Sequence, residues 1–448
     1  MVQRCFSIST YTSPTPEEEW SLHKLGEKFI SVTCGAYRSP TEIARHVAAN
    51  CVTQTHFLVM DVAEVGRRLD AISKSLPRII PKFALECNGD PILAMILATH
   101  SEVTFEARNL LELKMALQHF GPERTIYCSQ LLTKKNIRDA VAAGCRRFVV
   151  EDVTKMEVVM TAAPDAEILL AISLPYSTAE VPFGMSLEKA EEAFDTAYSI
   201  GANVIGIHLE IGVETSWDIW KKVVEDVKHI FSTASKQRSA LRHLSLGNFI
   251  LPNSDHDAGF ICRELNEVFA RSFNSSIQIS ANVSRNLVNK AFLLATRIIG
   301  KRNIEAKALT NDDFDEGEGF VYQISEGIFG SFNCKIMGIK PTWKLLEEKV
   351  SQKSIQHFGT ILGPSLDRTD VVQRIILSRE LEIGEWLVWE NMGSYSIGTD
   401  AEVPTPAVFY YMVNDDWELF IEQATHNQHS GNNLETDQFN AWIAQFDG

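Results

Sequence analysis

The sequence predicts an α/β domain joined to an all-β one: an N-terminal (β/α)8 TIM-like barrel followed by a C-terminal β-barrel or sandwich. Three observations carry this reading. From about residue 55 to 281, short runs rich in Val, Ile, Leu and Phe alternate with amphipathic stretches. Near residue 285 the pattern changes to β-branched and aromatic runs separated by Gly, Asp, Asn and Pro. The chain has 448 residues and is 45% hydrophobic, which suits two large domains with ordinary globular cores.

In chain order the apolar runs are HFLVM (56–60), RIIPKFAL (78–85), EVTF (102–105), RTIYC (124–128), RRFVV (146–150), EILLAI (167–172), NVIGIHL (203–209), HLSLG (243–247) and SIQIS (276–280). Between them lie candidate helices at 91–99, 110–120, 134–143, 187–201, 216–233 and 257–273. Asp152 and Ser186 each carry a capping signal, with Lys155 and Lys189 three residues on, and Thr215-Ser216 carries a better one. Strands alternating with helices at this spacing build parallel β/α units. Eight or nine such units favour a closed barrel of ~250 residues over an open doubly wound sheet.

The later runs, 287–302, 319–325, 330–337, 385–391 and 407–413, read as strands of the second domain. Residues 311–318 (NDDFDEGE) read as an exposed acidic loop, and 424–434 as a polar tail. The expected boundaries are a 1–45 segment packing with the β domain, a barrel over 46–285, the β domain over 286–423 and a tail over 424–448.

Charge and cysteine usage narrow the function classes. Lys and Arg total 42 against 58 Asp and Glu, a formal net charge of −16. An acidic surface repels phosphate backbones, so no nucleic-acid partner is expected. The eight cysteines are scattered without a C-x-x-C pair, which reads as reduced thiols with no disulfide framework and no metal site. The N-terminus shows no apolar signal region and no run of 18 apolar residues occurs. A protein with no membrane partner is expected, cytoplasmic or also nuclear.

Four stretches then become specific: LPRIIPKFALECNGD (76–90), EGIFGSFNC (326–334), GPSLDRTD (363–370) and EWLVWENMGSYS (385–396). In this order and spacing the chain resembles the eukaryotic ornithine decarboxylases and their non-catalytic relatives, the antizyme inhibitors. Softer similarity runs from about His56 to Trp417. The resemblance implies a pyridoxal-phosphate (PLP) barrel of fold type III, with the segment before the barrel joining the β domain.

Position by position, the resemblance implies loss of the cofactor chemistry. The family lysine of P-F-Y-A-V-K-C-N falls on Glu86, and a carboxylate cannot form a Schiff base. Lys82 is four residues away, ~13 Å along a strand, and cannot simply substitute. The family's phosphate loop, L-D-I-G-G-G-F, reads Leu244-Ser245-Leu246-Gly247-Asn248-Phe249, with one glycine left. The E-P-G-R stretch becomes Asn282-Val283-Ser284-Arg285, so the arginine remains but the charged partner of the ring nitrogen does not. The cysteine that a partner subunit donates in G-P-T-C-D falls on Leu366. A phosphate-contacting serine falls on Ile211, an arginine on Ala171, and the aspartate of F-D-C-A-S on Glu106.

The remnants are His208, Gly247, Arg285 and Tyr395 at the cofactor positions, and Glu326 and Asp367 at the substrate positions. Each also has a structural reading: His208 as a hydrogen-bonded barrel histidine, Arg285 and Tyr395 as framework, Glu326 and Asp367 as solvated loop carboxylates. No catalytic residue is expected intact and no bound PLP is expected.

A fold kept while its chemistry is lost implies a binding role. The expected function is therefore that of an antizyme inhibitor, which regulates polyamine (putrescine) synthesis by binding antizyme. The corresponding segment is 137–161, with Arg138, Arg146, Arg147 and Lys155 as candidate partner contacts. Two alternatives stay open: a PLP-dependent decarboxylase of ornithine or another basic amino acid with a rearranged site, and a regulatory subunit pairing with an active decarboxylase paralogue. Proline at 182, where the family's V-K-F-G stretch has a dimer-contact lysine, argues mildly against homodimerisation.

Overall fold

The structure is a computed structural model that describes residues 20–25, 28–33, 38–50, 54–176, 183–211, 216–249, 251, 255–310, 317–347, 356–365, 367, 369–397 and 405–419. Leu366, Pro182, most of the acidic stretch and the 424–448 tail lie outside these residues. Two compact units are present: Arg67–Leu287, and Met1–Gly66 together with Val288–Gly448.

In chain order the discontinuous unit opens with β1 (Trp20–Leu25), β2 (Lys28–Thr33), α1 (Pro40–Asn50) and β3 (His56–Asp61). Helix α2 (Val62–Ser75) leads into the barrel. The barrel strands are β4 (Ile79–Ala84), β5 (Thr104–Ala107), β6 (Thr125–Tyr127), β7 (Arg147–Val150), β8 (Glu167–Ile172), β9 (Asn203–Glu210), β10 (His243–Gly247) and β11 (Gln278–Asn282). Each pairs in parallel with its sequence neighbour, and β11 closes on β4. The intervening helices are α3 (Pro91–Thr99), α4 (Leu110–Phe120), α5 (Lys134–Ala142), α6 (Val153–Ala162), α7 (Leu187–Ile200), α8 (Trp217–Lys236) and α9 (Asp255–Ser272). The expected helices therefore form within a few residues of their expected ends. The Asp152 and Ser186 side chains accept from the Lys155 and Lys189 amides as expected. Ser216, with the better signal, precedes α8 but makes no side-chain capping bond.

After α10 (Ser284–Val288) the second unit resumes with β12 (Phe292–Glu305), the short α11 (Lys307–Thr310), β13 (Glu318–Ile324), β14 (Thr342–Leu345), β15 (His357–Leu362), β16 (Val371–Leu377), β17 (Trp386–Glu390) and β18 (Ala407–Val413). Its strands form a ten-stranded mixed sheet that branches at β12. Helix α1 packs Ile43, Ala44 and Val47 against Phe57, Val59, Leu293 and Tyr411. Burial of Ile43, Val47, Phe57, Val59 and Leu293 contributes roughly 1.5–3 kcal/mol each.

Two expectations are corrected. The boundary expected at residue 46 lies at 66, because the HFLVM run is not a barrel strand. As β3 it pairs antiparallel with β12 and parallel with β18. The run at 330–337 is not a strand either. Residues Ser331–Lys335 form a 3-10 turn, with the Asn333 amide donating to Gly330 and the Ile336 amide to Asn333. Local i→i+3 bonds have taken the backbone groups that a strand would offer its neighbour.

Candidate functional site at the barrel mouth

The C-terminal ends of parallel barrel strands are where this architecture gathers functional side chains. Alternation along a strand sends every second residue inward. Lys82 on β4, Glu106 on β5, His208 and Glu210 on β9, and Ser245 and Gly247 on β10 meet there. Register fixes the pairs: Ala84 lies opposite Glu106, Ser245 opposite His208, and Gly247 opposite Glu210.

These groups form one connected network. The Lys82 ammonium lies 2.6 Å from Glu106 Oε2, and neither side chain is exposed. Lys82 Nζ also donates to Ser245 Oγ at 2.7 Å. That orients the Ser245 hydroxyl toward His208 Nδ1 at 2.9 Å, leaving His208 Nε2 to donate to Glu210 Oε1 at 3.4 Å. Arg108 closes the circuit, with its guanidinium 2.9 Å from Glu106, 3.0 Å from Glu210 and 3.3 Å from Glu86.

Local structure aims Arg108 and Glu86 into this circuit. Asn109 caps α4 by accepting from the Glu112 amide, and Glu112 accepts from the Arg108 amide at 2.8 Å. Glu86 sits in a 3-10 turn after β4, pinned by buried Leu85 and Cys87 on either side. Asn88 and Asp90 follow, with Asp90 accepting from Ile92 and Leu93 to start α3.

The electrostatics are those of a site short of cations. Burial alone would raise the Glu106 carboxyl, but Lys82 and Arg108 hold it well below the usual carboxylate range. Burial opposes Glu210 likewise, and the hydrogen bond from His208 and the charge of Arg108 hold it low. Glu86 goes the other way. Burial pushes its carboxyl up to about 7, Arg108 opposes the rise, and Glu106, Glu112 and Glu210 add to it. Burial, then Glu106, raises the nearby Cys128 thiol well above its ordinary value. Glu106, Cys128 and His208 converge within 4.8 Å, a spacing that suits a metal. However, the carboxylate there already faces two cations and both imidazole nitrogens are hydrogen-bonded.

The residues present do not fit PLP. The lysine position carries the Glu86 carboxyl, and Lys82, the nearest amine in sequence, is held inside the barrel by Glu106 and Ser245. At the one remaining glycine of the phosphate loop, a Cβ would meet the Glu210 carboxylate at 2.5 Å, so this glycine makes room for an anion already in the chain. Asn248 follows it at φ 45°, a left-handed backbone that asparagine tolerates. Asn282 Oδ1 accepts from the Ser284 amide and hydroxyl, closing a local turn before Arg285. Ala171 is buried among Ile126, Val149, Leu169 and Phe183, and Ile211 is buried as well.

Of the expected site residues, Glu86, His208 and Gly247 are brought together, and Arg285 is in the same unit, on α10. His208 is buried, with both ring nitrogens hydrogen-bonded. Glu326, Asp367 and Tyr395 belong to the other unit. Glu326 is not a solvated loop carboxylate. It is buried and accepts from the Gly327 amide and the Ser331 hydroxyl of its own loop. Asp367 is exposed and caps its own turn by accepting from Thr369. Tyr395 holds φ 57°, a strained value for an aromatic residue. Asp370, the last residue of the GPSLDRTD stretch, ties two motif loops together by accepting from the Ile328 and Ser365 amides at 2.7 and 3.1 Å.

The candidate partner contacts lie around α5 and α6. Arg146 pairs with Glu123, Arg147 with Glu123 and Glu167, and Lys155 with Glu151. Arg138 is exposed and, among the described residues, forms no ion pair. It shares α5 with exposed Lys134 and Lys135, which the sequence reading missed. The residues missed at the mouth are Arg108, Glu210 and Ser245. One signal was available: Arg108 stands at the alanine of the family's F-D-C-A-S stretch.

Comparisons with known proteins agree with this fold. Residues 62–282 match the family described as pyridoxal-dependent decarboxylase, pyridoxal binding domain. The match spans nearly the whole barrel unit. Along most of its length the chain is similar to antizyme inhibitor 2 of Xenopus laevis, 27% identical over 79% of this chain and 80% of the relative. It is also similar to ornithine decarboxylase of Mus musculus, 26% identical over 83% of each. Among solved structures, the arginine decarboxylase of Paramecium bursaria Chlorella virus bound to agmatine superposes with a TM-score of 0.73 at 20% identity. It covers 83% of this chain and all of the viral one. The lysine/ornithine decarboxylase of Vibrio vulnificus has a TM-score of 0.71 at 20% identity, covering 84% and 99%. No helix of the described residues is long and apolar enough to cross a membrane.

Proposed function

We propose that this protein is a catalytically inactive member of the ornithine decarboxylase group that does not bind PLP and acts by binding another protein. The observation that carries this reading is the pairing of Glu86 at the lysine position with a Lys82 amine locked between Glu106 and Ser245. The likeness to antizyme inhibitor 2 supports antizyme as the partner and control of polyamine synthesis as the outcome. The contact surface is α5 and its surroundings, where Arg138, Lys134 and Lys135 are exposed. The test is a pull-down of antizyme by the purified full-length protein, with a decarboxylation assay on ornithine, lysine and arginine in parallel. Antizyme capture without product supports the reading. PLP-dependent product from any of the three amino acids sinks it.

A further inference from the structure

We propose that Glu210 is a tethered anion: its carboxylate occupies the anion subsite of the barrel mouth, and Glu210 with Arg108, rather than Glu86 alone, closes the mouth to phosphate esters. This rests on the reading that the chain does not bind PLP, and it adds which residues exclude the group. Strands β9 and β10 run in register, with Gly247 directly opposite Glu210. The carboxylate comes so close to the Gly247 backbone that any side chain there would strike it. Glycine at this point therefore serves Glu210.

The carboxylate is also held as an external anion would be. Arg108 contacts it at 3.0 Å and His208 Nε2 at 3.4 Å. The same guanidinium is shared with Glu106 and Glu86, so it is already engaged and not free for a second anion. A phosphate ester entering here meets three carboxylates and two cations, Lys82 and Arg108, both engaged. At the neighbouring positions Ala171 and Ile211 offer no charge. Replacing Glu86 by lysine would thus restore an amine without an anion site.

The experiment compares wild type, Glu86→Lys, Glu210→Gly and the double variant. Calorimetric titration with inorganic phosphate comes first, then PLP uptake trapped by borohydride and mapped to a residue. Glu210→Gly is expected to bind phosphate at least roughly tenfold more tightly than wild type. PLP is expected to label residue 86 in the double variant and not in Glu86→Lys alone. Phosphate binding unchanged in Glu210→Gly overturns the proposal, and so does labelling of Glu86→Lys equal to that of the double variant. PLP uptake by wild type instead overturns the proposed function, and the phosphate titration still decides the tethered anion. Glu210→Ala replaces the glycine variant if that one fails to fold. A melting cycle needs no ligand: Gly247→Ala should lower the melting temperature of wild type and leave that of Glu210→Gly nearly unchanged. Equal losses in both backgrounds count against the contact.

Discussion

The Lys82 ammonium and the Glu106 carboxylate lie 2.6 Å apart inside the barrel with neither side chain exposed to solvent. A buried pair of this kind adds little net stability, yet losing one partner strands a charge. Glu106→Gln is expected to cost about 3–5 kcal/mol. The double variant Lys82→Met/Glu106→Leu should recover most of that loss. Urea unfolding of the single and double variants measures it, and additive losses would show that the two groups are not coupled.

Glu86 gives a pH dependence of defined sign. Its carboxyl rises from an ordinary value of 4.5 to about 7 in the folded chain, through burial and then neighbouring carboxylates, against Arg108. Between these values the native state holds more protons than the unfolded one. The contribution to stability is thus complete below about 4.5 and is lost as pH rises through about 7. A third of the side chain is exposed, so screening trims the effect to about 1 kcal/mol. Glu86→Gln should flatten the stability profile over this window and melt higher than wild type at pH 8. An unchanged slope would contradict the assignment.

The basic face of α5 predicts a partner phenotype. Reversing Lys134, Lys135 and Arg138 to glutamate is expected to weaken antizyme capture roughly tenfold or more, with a salt-dependent association rate. Arg147→Ala should affect capture less, because Arg147 is already engaged with Glu167 at 2.6 Å. Its effect should fall on stability. Binding and melting of the two variants, measured side by side, separate these outcomes.

Asp370 predicts that the second unit's motif loops are held structurally. It accepts from the Ile328 and Ser365 amides, and side chains at Gly327 and Gly363 would strike its carboxylate. Asp370→Ala leaves two amides without their acceptor and is expected to cost about 2–3 kcal/mol. Asp367→Ala, at an exposed turn, should leave the denaturation midpoint nearly unchanged. Chemical denaturation of both variants tests the contrast.

The barrel was legible because eight of the apolar runs pair as parallel strands in sequence order. HFLVM was misassigned for a physical reason. A central strand of a mixed sheet and a parallel barrel strand are both covered on two faces, so β3 and β4 show the same apolar run and similar burial. Composition cannot tell them apart; pairing does. At the site, Glu86 could be read because fixed neighbours flank it. The Glu106–Arg108–Glu210 circuit could not, because Glu106 and Arg108, at the end of β5, meet Glu210 of β9 only across the closed barrel. Glu326 shows the same limit in reverse. The motif marks it as a substrate carboxylate, while the fold turns it into its own loop.

Incubating the full-length protein with PLP, recording its absorbance and trapping any imine with borohydride before peptide mapping decides whether any barrel lysine can hold the cofactor. With Lys82 bound to Glu106 and Ser245, and Glu86 at the lysine position, no imine band and no labelled lysine are expected. A stoichiometric adduct on Lys82, or on any other lysine of the barrel, would contradict it.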